Sequence, residues 1–425
     1  MACPGTFSDE PLSPAGRLFL QQKTDVVIHC IARTKNPIDV DGAKATIMSS
    51  PMGQHPRFCS LLVRDDNGFE HWRKTRLDVD RHVIVVKHRV NEDEEDDEVA
   101  VNLYVADLSV SSPLSTDKPL WEVHLLTAHK HVVFRIHHSL GDGISLMSML
   151  MASCRKVSDP DALPMMVPEK TTEKKRDSPW SFGSMWGFLK MAWLTFVFVL
   201  EFLLRSLFVS DRKTAVSGGD GVELWPRKLA TAKFLLDDMK EVKKAIPDTT
   251  INDVLFGIVS CGLSRYLDHR TPNALHEGLR MTGVAMVNLR AKPGLQRAKV
   301  MVDRKKQSLE AYFSYRIGDL IVSLLGIKYA SLINYRLLCN TTFTISNLIG
   351  PLEDITLSGN PISSIKVSTS SLPQALTMHM VSYAGKAEMQ ILVAKDIIPD
   401  PEFLAKCFED ALLEMKVAAM EANKA

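Results

Sequence analysis

The run His137-His138-Ser139-Leu140-Gly141-Asp142-Gly143 places two imidazoles and a carboxylate side by side. An imidazole with an unperturbed pKa of about 6.5 keeps a useful neutral fraction near pH 7, which suits it to taking a proton from a reacting hydroxyl. Successive residues of an extended chain point to opposite faces, so His137 and His138 cannot share one task there. One is expected to be the base and the other packing or support. Asp142 reads as an N-cap carboxylate or a structural ion-pair partner rather than a proton carrier. Gly141 and Gly143 permit positive φ or close backbone approach, either of which gives a tight turn. A metal held by His137 and His138 is not expected, because adjacent imidazoles seldom converge on one ion and no third ligand is evident.

The flanking residues say what must hold this run. His131 to Ile136 has the β-branched and aromatic make-up of a buried strand, and apolar residues recur at helical spacing from Ile144 to Ala152. The motif is therefore a strand-to-helix loop. Upstream, Val26 to Ile31, His82 to Val90, Val99 to Val105 and Trp121 to Leu126 read as strands, and Asp39 to Met52 as a helix. Trp121, Val123 and Leu125 alternate with Glu122 and His124, the pattern of a strand with one buried face. His55 and His124 are expected to be structural. The acidic stretch Asn91 to Glu98 reads as a solvated loop, since like charges repel and cannot pack.

The chain has 425 residues, 45% of them hydrophobic, which is enough for two cored domains. Its 51 basic and 50 acidic residues leave a net charge of +1, which gives no case for a nucleic-acid partner. Seven scattered cysteines without metal-type spacing point to a reduced, cytosol-facing protein. Residues 1–20 lack the apolar run of a signal peptide, so secretion is not expected.

Beyond the motif helix, residues 167–179 are charged and proline-bearing, as a linker would be. The apolar segment Trp180 to Val209 follows. Its interior between Lys190 and Glu201 falls short of the roughly 18 uncharged residues that argue for a spanning helix. Lys190, Glu201 and Arg205 would form one narrow polar stripe on a helical wheel, and Glu201 and Arg205 could pair at i, i+4. Three readings compete: a helix lying in a membrane surface, a tilted transmembrane span, and a buried inter-domain helix. Ser210 to Pro226 reads as a flexible connection. Lys228 to Leu236 then suggests a strand, Asp237 to Ala245 a helix, and Thr250-Ile251-Asn252-Asp253 the capped start of another. Arg280 to Arg290 and Thr341 to Ile345 read as strands, Asp303 to Phe313 as a charged helix, Ser382 to Ala394 as one strand, and Pro401 to Ala419 as a closing helix.

The motif resembles the His-His-x-x-x-Asp-Gly signature of acyl-CoA-dependent acyltransferases, and more narrowly the plant bifunctional wax ester synthase/diacylglycerol acyltransferase family. Further stretches are similar to that family's landmarks and stand in its order. They are Glu10 to Phe19, His55 to Phe58, Pro119 to His124, Asn252 to Leu255, Val287 to Arg290, Ser346 to Pro351 and Ser382 to Gly385.

The resemblance implies an α/β fold with the two-domain architecture of chloramphenicol acetyltransferase, its mixed sheets meeting around a channel. Residues 1–166 would form the N-terminal domain with the motif, 167–227 a linker with an apolar membrane-associated segment, and 228–425 the C-terminal domain. It makes His138 the general base, supported by His137, Gly141, Asp142 and Gly143, with Arg290 as the ion-pair partner of Asp142. Asn288, Ser346 and Asn347 are candidates to hold the oxyanion or substrate, with a purely structural turn as the alternative for Ser346 and Asn347, and the serine and threonine run Val367 to Ser371 is a second candidate source of donors. Acyl-CoA is the implied co-substrate, with no bound cofactor and no metal. A fatty alcohol or diacylglycerol is the acceptor, so the reactions are wax ester and triacylglycerol synthesis. The implied location is the endoplasmic reticulum membrane with the active site facing the cytosol, and the plasma membrane is a second candidate. A soluble acceptor and a catalytically impaired lipid-binding protein are the alternatives. The second is motivated by the short stretch Ala291 to Val302, which is longer in relatives.

Overall fold

The computed structural model describes residues 9–422 except 112, 166–181, 248, 273–278 and 287–325. In chain order, the elements that position the site begin with β1 (Val27–Thr34), α1 (Val40–Ser49), β2 (Val83–Val86), α2 (Asp97–Ser111), β3 (Trp121–Leu126) and β4 (His131–His137). Next come α3 (Gly143–Ala152), β5 (Cys154–Lys156), α4 (Phe182–Leu207), β6 (Arg227–Leu235), α5 (Leu236–Ala245), α6 (Ile251–Arg270) and β7 (Gly283–Met286). The second half closes with α7 (Ile327–Cys339), β8 (Phe343–Ile349), β9 (Ile355–Leu357), β10 (Asn360–Thr369), β11 (Leu376–Tyr383), β12 (Lys386–Ala394) and α8 (Pro401–Ala422).

These strands form two mixed sheets, as expected of an α/β fold, and residues 10–11, 60–64 and 70–74 form a separate small antiparallel sheet. One mixed sheet has the order β2-β3-β4-β1-β10-β9-β5, the other β7-β8-β11-β12-β6. In the first only β2 and β3 run parallel; in the second β7, β8 and β11 do. Strands β9 and β10 come from residues 355–369, so the first sheet is completed by chain from beyond residue 228.

Three apolar layers hold this arrangement. Ile28, Val123, Phe134 and Ile136 on one face of the first sheet pack against Ile47 of α1 and Leu146, Met147 and Met151 of α3. Met378, Met389 and Ile391 of the second sheet pack against Val254 and Ile258 of α6 and Leu404 and Phe408 of α8. Helix α2 lies between the sheets, with Val101, Val105 and Ala106 against Ile31, Val133, Leu229 and Leu392.

Helix α2 overturns the strand expected at Val99 to Val105. Val99, Val101 and Val105 mimic strand alternation, but Ala100, Val101, Val105 and Ala106 are all buried, which only a helix between two layers allows. The acidic run is likewise not all solvated loop. Asp97 and Glu98 open α2, where carboxylates oppose the positive helix end. Glu98 also pairs with Lys366 and Lys233, tying α2 to β10 and β6. Strand β3 is buried on both faces, because Glu122 and His124 find polar partners inside. The strand expected at His82 to Val90 shortens to Val83–Val86.

The single strand expected from Ser382 to Ala394 is instead the end of β11, a turn, and β12. Ala384 and Gly385 both have positive φ, the requirement of a two-residue hairpin turn. The capped start of α6 is observed: Thr250 and Asp253 exchange side-chain and backbone hydrogen bonds.

Residues 210–226 are not a loose tether. Asp211 accepts hydrogen bonds from Thr282 and Thr342 and pairs with Arg205, while Asn340 donates to the Arg205 carbonyl. These contacts weld the C-terminal end of α4 to the edge of the second sheet. Along α4, Trp193 is 65% and Phe196 60% exposed, which rules out the buried inter-domain reading. Among the described residues no helix is long and apolar enough to cross a membrane, which overturns the transmembrane span. The charges of Glu201 and Arg205, paired at 3.1 Å, interrupt the apolar run.

Candidate active site

Strand β4 delivers the motif from the middle of the first sheet, paired with β3 and β1. His137, its last residue, is fully engaged. Ser139 donates its backbone N–H to His137 Nδ1, and a backbone N–H can only donate, so Nδ1 is the unprotonated nitrogen. Nε2 therefore carries the proton and donates it to Asp25 at 2.8 Å. His137 is thus locked by buried Ser139 and by the half-exposed Asp25, and is placed to support the turn.

His138 differs in every respect. Its backbone N–H donates to the Val26 carbonyl, and its ring stacks on Phe19 with centroids 4.0 Å apart. Burial lowers its pKa, and the charge of His137 acts in the same direction. A hydrogen bond to its own backbone carbonyl and the charge of Asp142 act against them. Only the near nitrogen, Nδ1, reaches that carbonyl, which leaves Nε2 as the lone-pair nitrogen. Among the described residues no side chain hydrogen bonds to His138 Nε2. The ring is therefore neutral at pH 7, fixed in orientation, and has a basic nitrogen to offer.

Asp142 is the N-cap of α3 and accepts the Ser145 backbone N–H at 2.7 Å. The two glycines serve close approach rather than positive φ. A Cβ on Gly141 would lie 3.2 Å from Leu146, and one on Gly143 3.1 Å from Leu348. The expected partner of Asp142, Arg290, and the expected oxyanion group Asn288 lie outside the described residues, as does the Asp303 to Phe313 helix. Ser346 is buried on β8 on the side facing the first sheet, with Met286 and His379 as its strand neighbours. Asn347 faces the other way and donates to Asn252 of α6 at 2.7 Å, so it anchors a helix. In the serine and threonine run, Ser370 accepts the Val27 backbone N–H, while Ser368, Thr369 and Ser371 have buried hydroxyls without a partner among the described residues.

Beneath the motif strand lies a charged cluster that composition does not advertise. Arg135 pairs with Glu122 at 2.7 Å, Lys118 pairs with it at 2.9 Å, and His124 bridges Glu122 to the Tyr104 hydroxyl. Burial would raise the Glu122 pKa, but hydrogen bonds from His124 and Lys118 and the charges of Lys118 and Arg135 outweigh it and hold the carboxyl at about 2. Among the described residues no group of three histidine, cysteine, aspartate or glutamate side chains could hold a metal ion.

A cavity of about 300 Å³ lies between the first sheet and helices α1 and α3. Its walls are almost wholly apolar, with Ile28, Phe134, Ile136, Leu146, Met147 and Leu150 among them. One end is formed by Gly143 and Leu348 at the motif, the other by Asn36, Asp39 and Ser358 at the surface. Neither this cavity nor Phe19, Asp25 and Ser139 was legible from spacing, because each joins segments distant in the chain. Ser139 carried a hint by lying inside the motif, and Phe19 by ending the Glu10 to Phe19 landmark.

Two family models match the chain. The wax ester synthase/diacylglycerol acyltransferase catalytic domain covers residues 49–197, and the WS/DGAT C-terminal domain covers residues 291–416. Wax ester synthase/diacylglycerol acyltransferase 11 of Arabidopsis thaliana is 32% identical over 481 residues, spanning 98% of this chain and 96% of that protein. Wax ester synthase/diacylglycerol acyltransferase 2 of the same plant is 33% identical over 471, spanning 97% and 96%. Both aligned lengths exceed 425, so these relatives carry segments that this chain lacks. Among solved structures, the wax ester synthase/diacylglycerol acyltransferase from Marinobacter aquaeolei VT8 superposes with a TM-score of 0.58 at 19% identity, covering 96% of this chain and 99% of that one. A starter condensation domain of rhizomide synthetase, in complex with C8-CoA and Leu-SNAC, gives 0.54 at 13% identity, covering 97% and 95%. These two show a shared fold.

Proposed function

This chain belongs to the wax ester synthase/diacylglycerol acyltransferase family and is an acyltransferase, and from that premise we propose that it esterifies a membrane-resident alcohol. The donor is a long-chain acyl-CoA, the acceptor a fatty alcohol or diacylglycerol, and the general base His138. The observation that carries the reading is the division of labour in the histidine pair: His137 has both nitrogens occupied, while His138 is neutral, held by Phe19, and has Nε2 to offer. The acceptor hydroxyl gives its proton to Nε2 as its oxygen attacks the thioester carbon. The carbon–sulfur bond then breaks, and the proton passes to the departing CoA sulfur. The thioester is already activated, so no acyl-enzyme is required.

The apolar cavity under α3 suits the acyl tail. Its motif end, at Gly143 and Leu348, adjoins the reacting turn, and its polar rim at Asn36 and Ser358 lets a longer tail reach water. Filling it should change chain-length preference. Ala43→Phe, on the α1 wall, displaces about three methylenes, each worth about 0.8 kcal/mol. The kcat/KM for C16 and C18 acyl-CoA is expected to fall about 10- to 100-fold relative to C10 and C12. An unchanged chain-length profile would place the tail elsewhere.

Helix α4 suits the membrane surface. Near its C-terminal end Arg205 is engaged by Glu201 and Asp211, while Trp193, Phe196, Leu200 and Leu204 face out. Exposed Tyr329 and Leu332 of α7, which packs against α4, extend that face. An amphipathic helix so oriented lies in the headgroup region with its apolar side toward the acyl chains. Acyl-CoA and both acceptors meet on the cytosolic side of the endoplasmic reticulum membrane, which is the site this reading assigns, with the plasma membrane as a second.

The double variant Trp193→Glu/Phe196→Glu changes only exposed side chains. It is expected to lose flotation with phosphatidylcholine vesicles and about 10-fold or more of its activity on vesicle-borne hexadecanol or diacylglycerol, at unchanged melting temperature. Wild-type protein that stays out of the vesicle fraction, and that esterifies water-soluble alcohols better than either lipid, would favour a soluble acceptor instead.

A further inference from the structure

His379 is a third imidazole at this site, and nothing in the motif announces it. Strand β11 alternates: Leu376, Met378 and Met380 enter the core against α6 and α8, so Thr377 and His379 face the first sheet. The next two residues on that face, Val381 and Tyr383, pack into the first sheet's apolar cluster, which confirms the orientation. His379 is 7% exposed, and its register neighbour on β8 is Ser346. The two ring nitrogens meet different surroundings. Among the described residues Nδ1 is sealed from solvent with no hydrogen-bond partner, whereas Nε2 is not sealed in that way.

That asymmetry selects a tautomer. A buried N–H without an acceptor is rarer and costlier than a buried acceptor without a donor. The proton therefore sits on Nε2. Burial pushes the His379 pKa down to about 4, and the charge of His138 acts in the same direction, so the ring is neutral at pH 7 and the two imidazoles sense each other. A neutral imidazole that takes up a second proton only near pH 4 is a poor base at pH 7, but a well-defined single donor.

We infer that His379 is a catalytic residue whose Nε2–H donates a hydrogen bond to the thioester carbonyl oxygen as that oxygen becomes an alkoxide. The inference rests on His138 being the base. When the acceptor oxygen bonds to the carbonyl carbon, the π pair moves onto the carbonyl oxygen. The hydroxyl proton goes to His138, and the pair returns as the carbon–sulfur bond breaks and the CoA sulfur takes the proton. His379 keeps its own proton throughout. A fixed donor aimed at charge that appears only in the transition state lowers the barrier without tightening ground-state binding.

The test compares full-length His379→Leu with His379→Gln, two side chains of similar size of which only Gln can donate, using hexadecanoyl-CoA and hexadecanol in vesicles. The Leu variant is expected to lose about 10²–10³-fold in kcat, with KM for both substrates within about 3-fold. The Gln variant is expected to recover at least about 10-fold of that loss. Equal losses in the two variants, a loss confined to KM, or a Leu variant within about 5-fold of wild type would each overturn the assignment. Melting temperatures within a few degrees of wild type exclude simple unfolding. His138→Ala is assayed in parallel: if it stays active the base assignment falls, whereas the Leu and Gln comparison still reports on His379 alone.

Discussion

Replacing His138 by alanine is expected to lower turnover of hexadecanoyl-CoA with hexadecanol or diacylglycerol by about 10²–10⁴-fold, the usual worth of a positioned general base. The loss should fall on kcat, since the cavity proposed for the acyl tail does not include His138. The structural cost should be small. The His138 backbone N–H bond to Val26 survives truncation, while the stacking on Phe19 and the ring's hydrogen bond to its own carbonyl are lost. His137→Ala gives the contrast. It strands Asp25 and Ser139 and removes a buried imidazole, so its melting temperature should drop along with its activity. Equal product from wild type and His138→Ala, measured as radiolabelled ester, would remove His138 from the mechanism.

The fold should be unusually sensitive to mild acid. Burial holds the His29 pKa at about 3 and those of His82, His131 and His379 at about 4, against 6.5 for an exposed histidine. His29 is the extreme case, enclosed with neither ring nitrogen bonded to a described group. For each ring the folded pKa lies below the unfolded one. The unfolded chain therefore binds more protons below pH 6.5, and stability is lost as pH falls from there toward 4. Each ring contributes up to about 1.4 kcal/mol per pH unit in that window. Glu98 and Glu122 add to the loss below about pH 4.5, because their partners hold both near 2. A domain with a typical reserve of about 5–15 kcal/mol should then half-unfold between about pH 4 and 6. Far-UV circular dichroism along a pH series measures it. His131→Gln should remove about one proton from the steepness of the transition. A fold intact at pH 3.5 would mean that these rings are not sealed as the structure shows.

Much about this protein was readable from local chemistry. Runs such as Val132 to Ile136, the Thr250 and Asp253 cap, and the glycine-flanked turn after His138 declare themselves over a few residues, since strand, cap and turn preferences act at that range. The ordered series of motifs also pointed to the family and its two mixed sheets. What those stretches could not carry was anything decided by residues far apart in the chain. Val99 to Val105 has a strand's composition and is a helix because two sheets supply burial on both its sides. The greasy segment after residue 180 fits several settings by its pattern. Asp211, Asn340 and the Glu201–Arg205 pair fix the C-terminal end of the helix, with its aromatics facing out.

The same holds at the site. The motif named two candidate histidines, but only Asp25, from over a hundred residues upstream, decides which one is occupied. His379 looks like any histidine in an apolar run. It reaches the reaction centre because β11 pairs with β8 and turns one face to the first sheet. Side-chain identity and short-range spacing are properties of the chain. Burial, tautomer and the direction a ring nitrogen faces arise only when the two sheets close on each other and exclude water.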